Sequence, residues 1–309
     1  MAEETQRFTM TEAALDVFRR RERRGVLIRA TLLFYALFAL LGGLFVAAFS
    51  TTIAEVIAEL ARAAESSTAP DFALFAGMWR LASGMLLFQL CYSLLLAAYE
   101  AACLRWLVRG ETRGIFGFAL DADAWRVWAS FWIWLGLLAG LAAIPWSLTL
   151  VTIATATEAN APGAVFAVFL AVLATIAAGV WLAVRLAPAT AASIVAQRFA
   201  FFDAWKVTRG RFGSMLGAFF LVIVAYYIVG SALQALVAPV MFGMLFKIAA
   251  TPPAEFSLDT MLAPLRSPWM IAAISASVLL SVAAAAVLRL AFFGVNARAV
   301  RAARGEGAI

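Results

Sequence analysis

FGSMLGAFFLVIVAYYIVGSALQALVAPVMFGMLF, residues 212–246, runs for 35 positions without a charged side chain. About 20 apolar residues cross the hydrocarbon core of a bilayer as a helix. A backbone in hydrocarbon must satisfy its own N–H and C=O groups, so a helix is the expected form. Two crossings need at least ~34 residues before any turn is counted. The stretch therefore reads as one long, tilted or broken helix, with Pro239 as the break.

Five more uncharged stretches lie at 30–52, 81–99, 127–157, 159–184 and 267–288. Hydrophobic residues make up 65% of the 309 and the mean hydropathy is +0.94. A soluble domain is ~45–50% apolar. The predicted fold class is thus all-α: a polytopic bundle of six spans, near 26–50, 78–106, 127–154, 164–187, 212–246 and 269–290. Residues 1–25 read as a cytoplasmic amphipathic segment, 26–297 as the membrane domain and 298–309 as a basic cytoplasmic tail. In the first segment Phe8, Ala14, Leu15 and Phe18 share a helical face suited to lying on the inner leaflet. Residues 51–66 pattern as an amphipathic helix on the outer surface, continuous with the first span.

The net charge is +6, and its placement sets the orientation. With the N-terminal side inside, the inner flanks hold most of the Lys and Arg, and the outer flanks hold only Arg62, Arg80, Lys247 and Arg266. The positive-inside rule then predicts an inner-membrane protein with both termini cytoplasmic. Topology and anionic headgroups account for the basic balance, so no nucleic-acid partner is implied. The bases at 19–24 make the first span a signal anchor, not a cleaved leader.

The chain has no histidine, which removes His-based triads and most zinc sites. Cys91 and Cys103 sit on one predicted span and read as packing residues. The glycines at 110, 114 and 117 lack the Lys-Ser/Thr ending of a phosphate loop and read as a flexible connection. No catalytic residue, metal site or cofactor is expected.

A repeat runs through the inner connections. Asp123, Trp125 and Arg126 precede the third span, and Asp203, Trp205 and Lys206 precede the fifth. Asp16, Phe18 and Arg19 precede the first more loosely. The economical reading is three hairpins, each a surface helix followed by two spans. Trp suits the headgroup level, the base suits lipid phosphate, and the Asp caps the next helix or pairs with an arginine. Gly136/Gly140 and Gly213/Gly217 are small-xxx-small pairs that favour packing within the chain, with homo-oligomer contact as the alternative.

The run from Val184-Arg-Leu-Ala-Pro188 to Phe201-Phe-Asp-Ala-Trp205-Lys-Val-Thr208-Arg-Gly-Arg-Phe212 resembles a known pattern. It is similar to the segment between the fourth and fifth spans of the bacterial glycerophosphoryl diester phosphodiesterase membrane-domain family and related six-span proteins. That resemblance implies a stand-alone membrane domain. Members with a catalytic barrel use histidines, acids and a metal there; no such residue carries over to this chain.

Ionisable residues within spans are the remaining candidates, because they are costly there. Glu100, Arg185 and Arg289 fall near inner helix ends, where Glu100 pairing with either arginine would form an ion pair. The candidate lipid or partner contacts are then Glu100, Asp123, Trp125, Arg126, Arg185, Asp203, Trp205, Lys206, Arg209, Arg211 and Arg289. The function expected is non-enzymatic: binding or organising membrane lipids or a partner protein. The alternative is a permease for a small amphiphile, with Glu100, Gln89 or Gln234 facing a shared cavity.

Overall fold

The computed structural model describes residues 8–19, 24–66, 72–155, 161–250 and 267–305. The bases Arg20, Arg21 and Arg23, the outer loop at 251–266 and the first half of the outer turn at 158–163 lie outside those residues. The elements are α1 (Met10–Arg19), α2 (Arg24–Ser66), α3 (Phe72–Arg109), α4 (Ala122–Thr155), α5 (Ala161–Leu186), α6 (Ala189–Val195), a 3₁₀ turn (Phe201–Asp203), α7 (Ala204–Val207), α8 (Phe212–Ala250) and α9 (Pro268–Gly305). Among the described residues, six helices are long and apolar enough to cross a membrane. The protein is a polytopic all-α membrane bundle.

Consecutive spans pair as hairpins: α2 with α3, α4 with α5, α8 with α9. No residue in the most apolar windows of α4 and α5 is buried, as expected for helices solvated by acyl chains. Packing is concentrated at the arginine-rich end. There α3 is the pillar, touching α2, α4, α6 and α9. Every residue from Ala97 to Arg105 is buried, so this part of α3 is enclosed on all sides. Alanines at 97, 98, 101 and 102 let the neighbours approach, and Tyr99, Cys103 and Leu104 fill the remaining space.

Several details differ from the sequence reading. α8 continues through Pro239 without a break. A proline removes one helical hydrogen bond, but a chain in hydrocarbon gains nothing by opening further bonds. α4 likewise runs through Pro145. The second hairpin is preceded by a turn-rich loop, not a surface helix, and the glycines at 110, 114 and 117 all take left-handed φ there. That loop is a built turn: a Cβ at Gly114 would collide with the carbonyl oxygen of Phe118.

Gly136, Gly140 and Gly213 have nothing within 4 Å of where a Cβ would stand, so they do not mediate packing within the chain. The close approaches are at Gly77 and Gly84 of α3, where a Cβ would strike Val56 and the Phe49 ring of α2. Their spacing of seven puts both on one helix face. Gly217 and Gly294 make room for Met10 and Val17 of α1.

α1 is therefore docked on the protein, against α8 and α9. It buries Ala13, Asp16 and Val17. Arg298 reaches Glu12 at 2.5 Å and Asp16 at 3.5 Å, and Arg301 also bonds Asp16. Residues 298–305 continue α9 to its end at Gly305 and form part of the seat of α1.

Candidate functional site

The arginine-rich end holds an ionic hub on α3 and α4. Asp121 Oδ1 accepts the backbone N–H groups of Asp123 and Ala124, both at 3.2 Å, and so caps α4. That leaves the Asp123 carboxylate free for three guanidinium groups. Arg109 donates to it at 2.7 Å, Arg126 at 2.7 Å and Arg105 at 3.1 Å. Arg105 also pairs with Asp121 at 2.8 Å and is completely buried. Arg109 donates further to the carbonyl of Ile194, tying α6 into the same hub.

The second copy of the motif is simpler and more exposed. Asp203 accepts from Lys206 at 3.1 Å and Arg198 at 2.6 Å. The Lys206 hydrogen bond, with help from Arg198, holds the Asp203 carboxyl below its ordinary range. Both copies thus place a base three residues after the acid and clip it there. Both leave the intervening Trp outward: Trp125 is 49% exposed and Trp205 42%. Arg209 is exposed beside the second copy, and Arg211 donates to the carbonyl of Val207. A hollow of about 270 Å³ lies next to Arg198, Asp203, Lys206 and Arg304.

Glu100 and the two intramembrane arginines do not pair. Glu100 accepts a hydrogen bond from Thr190 at 2.5 Å within the closed core. Arg185 instead lies among Trp181, Trp205 and Phe212, its guanidinium carbon 5.3–6.0 Å from each ring centre. It also donates to Thr208 at 3.4 Å. Glu100 is turned to Thr190 of α6 and feels Arg289 only through space, which helix-end positions alone do not reveal. Thr190→Val leaves the Glu100 carboxyl without its donor, and the expected loss is about 1–3 kcal/mol in thermal unfolding of the detergent-solubilised protein.

Arg289 sits in a cleft between the first and third hairpins. The cleft has a volume of about 410 Å³ and is lined by α2, α3, α8 and α9. Arg289 donates to the Tyr92 hydroxyl at 2.9 Å and lies 5.3 Å over the Phe34 ring. Beside it an apolar groove of about 510 Å³ runs between α1, α8 and α9. Ala14, Leu15 and Phe18 line that groove. The face predicted to lie on the leaflet is therefore one wall of a groove in the protein.

The sequence reading missed Arg105, Asp121, Thr190 and the tyrosines of the cleft. A signal existed for the first: Arg105 and Arg109, spaced i,i+4, share a face within an apolar run. These sites belong to a polytopic integral membrane protein whose charged groups gather at one end. No family model, no curated protein and no solved structure matches the chain.

Proposed function

We propose that the protein is a non-enzymatic, inner-membrane lipid-binding protein, with its arginine-rich rim on the cytoplasmic side. One observation carries the reading: Trp125 and Trp205 face outward at that rim while the acids beside them are tied up by bases. An indole at the headgroup level has an apolar body for the acyl boundary and an N–H for the polar layer. Arg126, Lys206 and Arg209 supply positive charge there, worth ~1 kcal/mol per base near an anionic surface.

The permease reading has less support. Glu100 is closed in the core and Gln89 faces outward. Gln234 alone of the three lines a hollow, with Tyr226, Ser277 and Ser281.

The test is the lipid retained on purified protein, read by native mass spectrometry. Trp125→Ala with Trp205→Ala is expected to shed retained lipid several-fold. An unchanged lipid distribution in that double variant would refute rim binding.

A further inference from the structure

We propose that the cleft around Arg289 is a binding site for an amphiphile with an acidic headgroup, drawn from the bilayer. The inference rests on the lipid-binding reading and gives it a second, distinct place in the molecule.

A guanidinium has five donors. Here one nitrogen reaches Tyr92, while Nη1 is buried with no hydrogen-bond partner. Among the described residues no carboxylate lies within ion-pair distance of Arg289; Glu100 is near enough to feel its charge, but that carboxylate is engaged by Thr190. The Tyr35 hydroxyl, from another helix lining the same cleft, is also buried without a partner. A desolvated cation and a desolvated hydroxyl left open side by side call for an acceptor that carries negative charge.

The walls define the rest of the ligand. Ser277, Ser281, Ala285 and Arg289 follow one another at spacings of four, so they form one stripe along α9. The stripe is small and polar, and it leads to the guanidinium. Phe34, Phe38, Tyr226 and Val282 supply apolar and aromatic surface around it. Arg289 is the first charge after the uncharged stretch 267–288 and lies nine residues, ~14 Å, before Arg298 along α9, so it stands at the inner end of the span with one guanidinium nitrogen shut off from solvent. A free inorganic anion would have to be stripped of water to reach it. An amphiphile brings its acidic group there with its chain already in hydrocarbon. The volume is in the ~300–1,000 Å³ range of small-molecule sites.

The experiment uses the full chain, delipidated in a zwitterionic detergent and titrated under native mass spectrometry. The probes are dioleoyl phosphatidylglycerol, dioleoyl phosphatidylcholine and inorganic phosphate. One phosphatidylglycerol is expected to bind at least tenfold more tightly than phosphatidylcholine, with phosphate giving no competition. Arg289→Gln is expected to abolish that preference, and Arg289→Lys to keep part of it.

Ala285→Leu keeps the charge and fills the cleft; it is expected to lose the same lipid, and it serves if Arg289→Gln fails to fold. Equal binding of the two lipids, full competition by phosphate, or undiminished preference in both Arg289→Gln and Ala285→Leu would overturn the proposal. The rim variant is scored separately: loss of lipid there with no preference at Arg289 sinks the cleft alone, and the converse sinks the rim alone.

Discussion

Asp123→Ala is expected to lower the stability of the solubilised protein by about 3–5 kcal/mol, the range for breaking a buried ionic cluster from one side. The cost falls unevenly on the three arginines. Arg126 is 22% exposed and can rehydrate; Arg109 keeps Glu111 at 3.2 Å and the Ile194 carbonyl. Arg105 is fully enclosed and retains only Asp121. Its Nη1 already lacks a partner. Most of the loss is therefore Arg105's stranded charge, and this makes a second measurement decisive. Adding Arg105→Met to Asp123→Ala removes that charge and keeps the volume, so the double variant is expected to be more stable than Asp123→Ala alone. Thermal unfolding of both in one detergent gives the answer. A double variant no better than the single one would show that the penalty lies elsewhere.

Phe34→Ala is expected to cost about 3–5 kcal/mol by the same measurement, through the cavity it opens. The side chain is 1% exposed. Its ring stacks on Tyr99 at 4.6 Å and meets Tyr35 edge-on at 5.0 Å. The Arg289 guanidinium lies over the Phe34 ring, 5.3 Å from its centre. Phe34→Leu separates the two contributions. It keeps most of the volume, for a packing loss below about 1.5 kcal/mol, and it forfeits a cation–π contact worth ~1–2 kcal/mol when desolvated. An Ala variant no worse than the Leu variant would mean that the pocket collapses around the gap.

The spans were legible because each is a charge-free block longer than a bilayer is thick, a property of composition that needs no tertiary contact. The paired motifs were legible too, as an acid and a base three apart around a Trp. Their partners were not, since Arg105 and Arg109 reach Asp123 from another helix. The cleft was hidden for the same reason: Tyr35, Tyr92, Tyr226 and Arg289 come from four elements, and no local spacing joins them. Of the glycine pairs only Gly217 is approached closely within the chain, by Met10 of α1, because small residues at a spacing of four mark a surface that can be approached, not one that is. Gly77 and Gly84, at a spacing of seven, take that role. Glu100 was expected beside an arginine because both lie near helix ends, but the side chains between them decide direction.

The docking of α1 has a consequence for how the molecule is made. Asp16 is translated 282 positions ahead of Arg298, its partner on α9. At ~5–20 residues per second, roughly a quarter of a minute to a minute passes before the ribosome supplies that partner. Until then α1 can meet only the α8 part of its seat, at Gly217, while Glu12 and Asp16 await Arg298 and Arg301. The earliest of the described helices thus completes its ionic contacts only after α9 is made, and its latching marks a nascent chain in which α9 has gone in.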